Sequence, residues 1–218
     1  VDARVTAMTD TLGTPAEEEA SGAEYRSRML LARATMHRRN GDIDKLLEDA
    51  EMASLLTMNG WYDFGRITRG QTLCDLQRTK QAAAAIDPAL DDDKWMGPLQ
   101  RLLRLCIAVN DGDLTAARAH LAALQAKSDR YTINLLLAGQ LSVDDLDAAA
   151  ATYIAMLQDP LMRTEALEFA QIDRDPPVLP GEARFEQAFK RMLERDDVKA
   201  AVEKVGRVMT WDLFIGYD

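Results

Sequence analysis

Pairs of arginines spaced three residues apart are the side chains in this sequence that are best suited to bind a ligand. Arg66 with Arg69, and Arg101 with Arg104, would each share one face of a helix. The guanidinium group is planar and can donate two parallel hydrogen bonds to a carboxylate. In an otherwise acidic chain, these pairs predict a site for an acidic segment or a peptide C-terminus. The alternative is that the arginines pair with Asp and Glu on neighbouring helices.

Residues for catalysis or metal binding do not form a recognisable pattern. His37 and His120 are the only histidines, and neither has a Cys or His at ligand spacing. The sequence has no nucleophile elbow and no glycine-rich phosphate loop. The DDDK stretch at 91–94 lacks the spacing of a calcium loop and is expected to be a solvated linker. We therefore expect a protein that is not an enzyme and that holds no metal or cofactor.

Cys74 and Cys106 are the only cysteines, and each lies among apolar residues in a helical pattern. This setting favours buried free thiols, because an unpaired cysteine behaves as a small apolar side chain. A disulfide is the alternative, although no spacing motif favours it.

The charge of the chain limits its partners. With 26 basic and 36 acidic residues, the net charge is -10. Such a surface repels phosphate backbones and anionic lipids, so we expect no direct binding to nucleic acid. No apolar run approaches the roughly 20 residues of a membrane-spanning helix, so we expect no membrane insertion.

The apolar residues follow a helical period, and short polar turns interrupt them. Ala and Leu are abundant, and aromatic residues make up only 6% of the chain, which favours helices over strands. Short turns between helices predict antiparallel pairs and an all-α fold. We divide the chain into a polar tail at 1–21, in which Pro15 and the acids after it also suit a helix start, helical pairs at 22–172, and a region at 173–218. The last region begins with a proline-rich break and continues with two short amphipathic helices and an aromatic tail.

Three turn-and-helix openings can be aligned with one another. Each has Asp, then an apolar residue, then a small or apolar residue three positions later. The matched positions are Asp42, Asp113 and Asp145, then Ile43, Leu114 and Leu146, then Leu46, Ala117 and Ala149. The copies are about 71 and 32 residues apart, so a period near 34 predicts an unseen copy between Trp61 and Pro88.

This pattern resembles the tetratricopeptide repeat, which has Trp and Gly in its first helix, Gly in the turn, Ala in the second helix and Pro at its end. The matching residues are Trp61, Phe64 and Gly65 in a first helix, Gly112, Asp113, Leu114 and Ala117 in a turn and second helix, and Ala83, Ala84, Ile86, Asp87 and Pro88 in a closing segment. The resemblance implies a tetratricopeptide-like α-solenoid of about four antiparallel helix pairs plus C-terminal capping helices. No single unit carries the whole pattern. Another α-solenoid and a non-repeating helical bundle are the alternatives.

Packing explains why such a pattern would repeat. Small residues such as Gly65, Ala117 and Ala149 let two helix backbones approach closely, and larger ones such as Leu121 and Tyr153 fill the gap to the next pair. Neither helix of a pair can bury its apolar face alone, so the pairs must stack.

The C-terminal segment is similar to the end of the repeat domains attached to bacterial winged-helix regulators and cyclases. The residues that carry this similarity are Val202, Gly206, Val208 and Trp211. The alternative is a capping helix that covers the open face of the last repeat.

In repeat solenoids the first helix of each pair lines a concave groove. The resemblance therefore implies a partner-binding groove, and we expect it to be lined by Arg38, Tyr62, Arg66, Arg69, Arg101, Arg104, Tyr131 and Asn134.

The sequence as a whole favours a non-catalytic scaffold or adaptor that binds a protein or peptide partner, with homo-oligomerisation left open. The alternative is the sensory or regulatory portion of a larger bacterial protein, which binds a small ligand or self-associates; the missing initiator Met and the C-terminal similarity suggest it. An enzyme would need a cleft with strongly perturbed titratable groups. The expected compartment is the cytoplasm, or the periplasm if a signal peptide was removed.

Overall fold

The computed structural model describes residues 20–56, 61–171 and 179–206, and within these ranges the chain forms helices and turns without strands. The all-α prediction is confirmed. The helices are α1 (Ala20–Asn40), α2 (Ile43–Leu55), α3 (Trp61–Asp75), α4 (Thr79–Ala83), α5 (Met96–Asn110), α6 (Leu114–Ala126), α7 (Ile133–Ser142), α8 (Leu146–Gln158), α9 (Arg163–Gln171), α10 (Pro180–Leu193) and α11 (Asp196–Gly206), with a 3₁₀ turn at Pro88–Leu90. Residues 1–19 of the expected N-terminal tail and the similarity positions Val208 and Trp211 lie outside the described residues, and α1 already includes residues 20 and 21.

One turn geometry joins the two helices of four successive pairs. Gly41, Gln77, Gly112 and Asp144 adopt left-handed backbone conformations, with φ values of 78°, 60°, 77° and 61°. In every case the N–H of this residue donates to the carbonyl three residues earlier, and the next N–H donates to the carbonyl five residues before it. These are the two hydrogen bonds of the Schellman motif that ends a helix. The copy at Gln77 falls in the interval where the sequence predicts an unseen one.

Aspartates open the helices that follow two of these turns. Asp113 accepts a hydrogen bond from the N–H of Ala116 at 2.9 Å, and Asp145 accepts one from Ala148 at 3.2 Å. Each carboxylate satisfies a helix N–H that has no partner within the helix. Asp42 stands at the same position before α2 but makes no such cap.

The second pair is shorter than the others. Arg78 occupies the position of the capping aspartates, and α4 spans only 5 residues, whereas α2, α6 and α8 each span 13. The junction between α3 and α5 therefore has less second-helix packing than the other junctions.

Consecutive helices pack in chain order, α1 on α2, α2 on α3 and α5 on α6, and the first helices also pack on one another, α3 on α5 and α5 on α7. The closest approach is at Gly65, where an added Cβ would lie 2.6 Å from the backbone nitrogen of Ser54 and 2.8 Å from the carbonyl oxygen of Ala50. The small residue thus allows α3 to contact the backbone of α2, as the sequence predicts. Ala117 and Ala149 are likewise fully buried.

Cys74 and Cys106 form a disulfide, so the expectation of free thiols is wrong. Their Cα atoms lie 6.4 Å apart, and the bond joins the last turn of α3 to α5. The two cysteines are separated by 32 residues. The packing of α3 on α5 brings them together, so no local sequence motif indicates the bond.

The C-terminal helices pack on the helices before them, α10 on α7 and α8, and α11 on α8. Ala188, Phe189 and Met192 of α10 join Val198 of α11 in one apolar cluster with Tyr153 of α8. Tyr153 is fully buried, and its hydroxyl donates to the carbonyl of Ala166 in α9 at 2.8 Å. None of the helices in the described ranges is long and apolar enough to cross a membrane.

Candidate functional site

The two arginine pairs occupy equivalent positions on adjacent first helices. Arg66 and Arg101 each precede the left-handed residue of their own turn by eleven residues, and Arg69 and Arg104 precede it by eight. The helices α3 and α5 pack together and the disulfide joins them, so the two pairs lie on neighbouring helices at matching distances from their turns.

Acceptors within the chain hold these guanidinium groups in place. Arg66 Nη1 lies 3.3 Å from Asp87 Oδ2, and Arg69 Nη2 lies 3.5 Å from Glu51 Oε2 on α2. Asp91 receives the other pair: Arg104 Nη1 donates to its carboxylate at 2.7 Å and Arg101 Nη2 donates to its carbonyl at 2.6 Å.

The acids in the linker between α4 and α5 are part of the candidate site, although the sequence predicted only a solvated linker there. The backbone N–H of Ala89 and the Arg66 guanidinium hold the pKa of Asp87 below its usual value. The sequence shows that this linker is rich in aspartates, but it does not show which carboxylate contacts which arginine.

Some buried donors near these arginines have no acceptor within the described chain. They are Arg69 Nε, Gln100 Nε2 and Arg101 Nη1. Gln100 is fully buried and stands twelve residues before its turn, the position that Gly65 has in the preceding pair. Its Oε1 accepts the backbone N–H of Asp87 at 2.5 Å. Sequence analysis missed Gln100, because a glutamine within an amphipathic helix gives no sign that it will be buried.

Arg38 lies at the end of α1 and contacts two acids. Its Nη2 donates to Asp75 at 2.6 Å, and its Nε donates to Glu182 on α10. Burial disfavours the charge on Arg38, but the two carboxylates outweigh burial and raise its pKa. Burial also raises the pKa of Asp75, in spite of the stabilising charge of Arg38. This candidate groove residue therefore binds a carboxylate supplied by the C-terminal part of the chain.

Helix α10 runs past the C-terminal ends of the first helices. Its Gly181 lies against Asp75 at the end of α3, with an added Cβ 2.8 Å from the Asp75 Cα. Arg184 Nη2 donates to Asn110 Oδ1 at the end of α5, at 3.0 Å, and Arg191 Nη1 donates to Asp144 after α7, at 3.2 Å. A helix of 14 residues is about 21 Å long, enough to pass several packed helices.

The remaining candidate residues are more scattered. Tyr131 lies in the turn before α7, which begins at Ile133, so the first helix does not carry it. Asn134 is on α7 and donates to Glu165 on α9 at 3.2 Å. The side chain of Tyr62 lies outside the described residues. The structure thus brings together the arginines of α3 and α5, and places Arg38 and Tyr131 at opposite ends of the first helices.

The part of the chain that the structure describes contains no group of three or more His, Cys, Asp or Glu side chains arranged for a metal ion. His37 is buried between α1 and α2, with its Nε2 3.6 Å from Asp49, which also accepts two hydrogen bonds from Arg33 at 2.7 Å. His120 lies on α6, where burial and then the nearby charge of Arg104 lower its pKa.

Comparison with models of known protein families, with characterised proteins and with solved structures finds no match to this chain. The contacts of the first-helix arginines are therefore the main guide to its function.

Proposed function

We propose that this chain is a non-catalytic interaction module that binds an acidic segment of a protein partner along α3 and α5. In this proposal the helices form a tetratricopeptide-like stack of about four pairs, closed by α10 and α11. The four equivalent turns and the chain-order packing support the stack. The observation that carries the binding function is the incomplete pairing of two partly exposed arginines: Arg69 Nε and Arg101 Nη1 have no acceptor within the described residues.

Buried donors of this kind are costly. Leaving one without an acceptor destabilises a protein by about 1–3 kcal/mol. A ligand that supplies acceptor oxygens would recover that energy on binding, and a carboxylate would recover more because its hydrogen bonds to guanidinium are charge-assisted. An acidic side chain or a peptide C-terminus is therefore the ligand chemistry that fits best.

The intramolecular ion pairs also favour binding, because they orient the arginines in advance. Asp91 and Glu51 each engage only part of a guanidinium fork, those of Arg104 and Arg69. A guanidinium group carries five N–H donors, so an arginine that is held at one edge can still donate from another. Side chains that are already ordered lose less conformational entropy when a ligand arrives.

The proposal can be tested with a fluorescein-labelled decapeptide of alternating Glu and Ala, compared with its Gln and Ala counterpart. We expect the acidic peptide to bind more tightly, with an affinity that falls as salt is added. Replacing Arg69 and Arg101 by Gln should weaken its binding at least roughly ten-fold, since two charge-assisted hydrogen bonds are worth about 1.5–3 kcal/mol each. Fluorescence anisotropy measures both affinities.

The matched control replaces Arg39 and Arg118, which are exposed on α1 and α6, by Gln. It changes the net charge equally and should alter the affinity less than two-fold. If the R69Q/R101Q variant melts at a lower temperature but binds the acidic peptide as well as the control does, the arginines serve only the fold and the groove proposal is wrong.

The disulfide is evidence about the cellular compartment in which the chain functions. Structural disulfides persist in oxidising compartments and are rare in the cytosol. We therefore propose that the chain functions in an oxidising compartment, the periplasmic option of the two that the sequence leaves open. Cells quenched in acid and then treated with maleimide in denaturant should leave Cys74 and Cys106 unmodified, whereas labelling of both would contradict this placement.

A further inference from the structure

Three large apolar side chains are exposed at the same position of three successive turns. Trp95, Tyr131 and Leu161 are 50%, 65% and 71% exposed, and each lies just before a first helix, α5, α7 or α9. We call these three residues the turn patch. Single exposed apolar residues are common on protein surfaces, but a set that recurs at equivalent turns needs an explanation.

The backbone of each turn holds its apolar residue in place. Asp93, Asp129 and Asp159 each accept, through Oδ1, the N–H of the residue two positions later, at 2.8, 3.0 and 3.0 Å. These Asx turns fix the chain in the same way each time. The side chain at the second position after the aspartate is exposed in all three turns.

Two of the three side chains of the turn patch are in contact, and an ion pair links the third turn to them. The Trp95 and Tyr131 rings meet edge to face with centroids 5.8 Å apart. The ion pair of Arg130 Nε with Asp159 Oδ2, at 2.9 Å, ties the turn of Tyr131 to the turn of Leu161. A partner segment that spans the three linked turns could therefore contact the apolar side chain of each.

A cation lies within the turn patch. The Lys94 ammonium sits 5.2 Å from the Trp95 ring centroid and 5.3 Å from the Tyr131 ring centroid, within the range of cation–π attraction. The flanking cations Lys127 and Arg130 are paired with aspartates. Among the described residues, no carboxylate pairs with Lys94, so its charge is available to an external anion.

We propose that the turn patch is a second docking surface, which binds a segment of a partner protein that presents a carboxylate to Lys94 and apolar side chains to Trp95, Tyr131 and Leu161. Apolar contacts with the rings supply the affinity, and the carboxylate fixes the position of the segment on the patch. This surface lies at the N-terminal ends of the first helices, whereas α10 lies at their C-terminal ends. It does not depend on the arginines of α3 and α5.

The test uses the whole chain labelled with 5-fluorotryptophan, and the Trp95 signal is assigned in the ¹⁹F spectrum by its loss in a W95F variant. The probe is the acetylated, amidated tetrapeptide Leu-Glu-Leu-Leu, and its matched partner carries Gln in place of Glu. We expect both peptides to shift the Trp95 signal, with the Glu peptide binding roughly three-fold more tightly, as an exposed ion pair of up to about 1 kcal/mol allows.

Substituting Lys94 by Gln should abolish the difference between the two peptides and leave the binding of the Gln peptide unchanged. The matched control is K80Q, because Lys80 is an exposed lysine on α4, away from these turns. In that variant the roughly three-fold preference should persist.

Three results would overturn the proposal. The first is a Trp95 signal that neither peptide shifts up to its solubility limit. The second is a signal that changes with protein concentration alone, which would assign the turn patch to a second copy of the chain. The third is a signal that moves when residues 207–218 are deleted, which would assign it to that segment of the same chain.

Discussion

Breaking the Cys74–Cys106 disulfide should cost the protein a large part of its stability. The bond joins α3 to α5 at the junction where the intervening helix α4 has only 5 residues. Both cysteines are buried, and Asn110 donates to the carbonyl oxygen of Cys74 at 2.7 Å beside the sulfur atoms. The cross-link therefore restrains the junction between α3 and α5, which has the least packing from a second helix.

The magnitude follows from the length of chain that the bond closes. For a sequence separation of 32 residues, the loop-entropy relation gives about 3.7 kcal/mol at 25 °C. For a chain of this size, such a loss corresponds to a fall of roughly 7–15 °C in the melting temperature.

The assay is equilibrium urea unfolding of the wild-type chain with and without a phosphine reductant. The two curves are measured on the same side chains, with and without the bond. The difference in unfolding free energy therefore contains no contribution from a new cavity or a buried hydroxyl, which a substitution would add. The matched control is the C74S/C106S double variant, whose unfolding curve should not respond to the reductant. Hydrogen exchange in the reduced protein should rise most in the last turn of α3 and in α4.

Two results would refute the reasoning. A difference below about 1 kcal/mol between the oxidised and reduced proteins would mean that the bond does not restrain the unfolded chain as the loop relation requires. Exchange that rises evenly along the described helices would mean that the junction is not a local weak point.

The remaining predictions concern single residues. Replacing Gly65 by Ala should destabilise the chain by about 1–3 kcal/mol in urea unfolding, because the new Cβ meets the backbone of Ser54 at 2.6 Å. Replacing Gln77 by Gly should stabilise it by up to about 1 kcal/mol, because an exposed residue with φ of 60° is strained unless it is glycine. Burial and then Arg104 lower the pKa of His120, so the stability it contributes is present above pH 6.5 and is lost as the pH falls through the folded pKa. Melting temperatures from pH 7.5 to pH 5 should therefore fall less in an H120N variant than in the wild type, and equal slopes would contradict this.

Helices and most turns could be predicted because their causes are local. A Gly-Asp pair precedes both α2 and α6. The glycine indicates the end of one helix and the aspartate indicates the start of the next. The turn at Gln77 is the instructive exception. It adopts the same backbone and hydrogen bonds with Gln77 and Arg78, which carry neither signal. In the sequence, only the spacing of the aligned helix openings predicts a turn in this interval.

The candidate site was predictable only in part, for a related reason. The arginine pairs follow from their spacing on one helix face. Their acceptors Asp87 and Asp91 lie in an irregular linker, where no period fixes the direction of a side chain. Position 131 was assigned to a first helix, but α7 begins two residues later, because the Asx turn at Asp129 occupies that part of the chain. The disulfide and the contacts of α10 depend on tertiary packing, which a single sequence does not display.

The contacts around the disulfide connect the stability of the fold to the geometry of the proposed groove. Asn110 touches both sulfur atoms and accepts a hydrogen bond from Arg184, while Asp75, the residue after Cys74, is covered by Gly181. The cross-link and the first turns of α10 thus act on the same two helix ends. The helices α3 and α5 also carry the arginine pairs. Contacts that fix the distance between these two helices therefore also fix the distance between the two pairs. Substitutions at residues that are in contact or that share a hydrogen-bond network commonly have non-additive effects on stability. The disulfide and α10 should therefore be regarded as a single restraint, which keeps the arginine pairs of α3 and α5 at a fixed distance from each other.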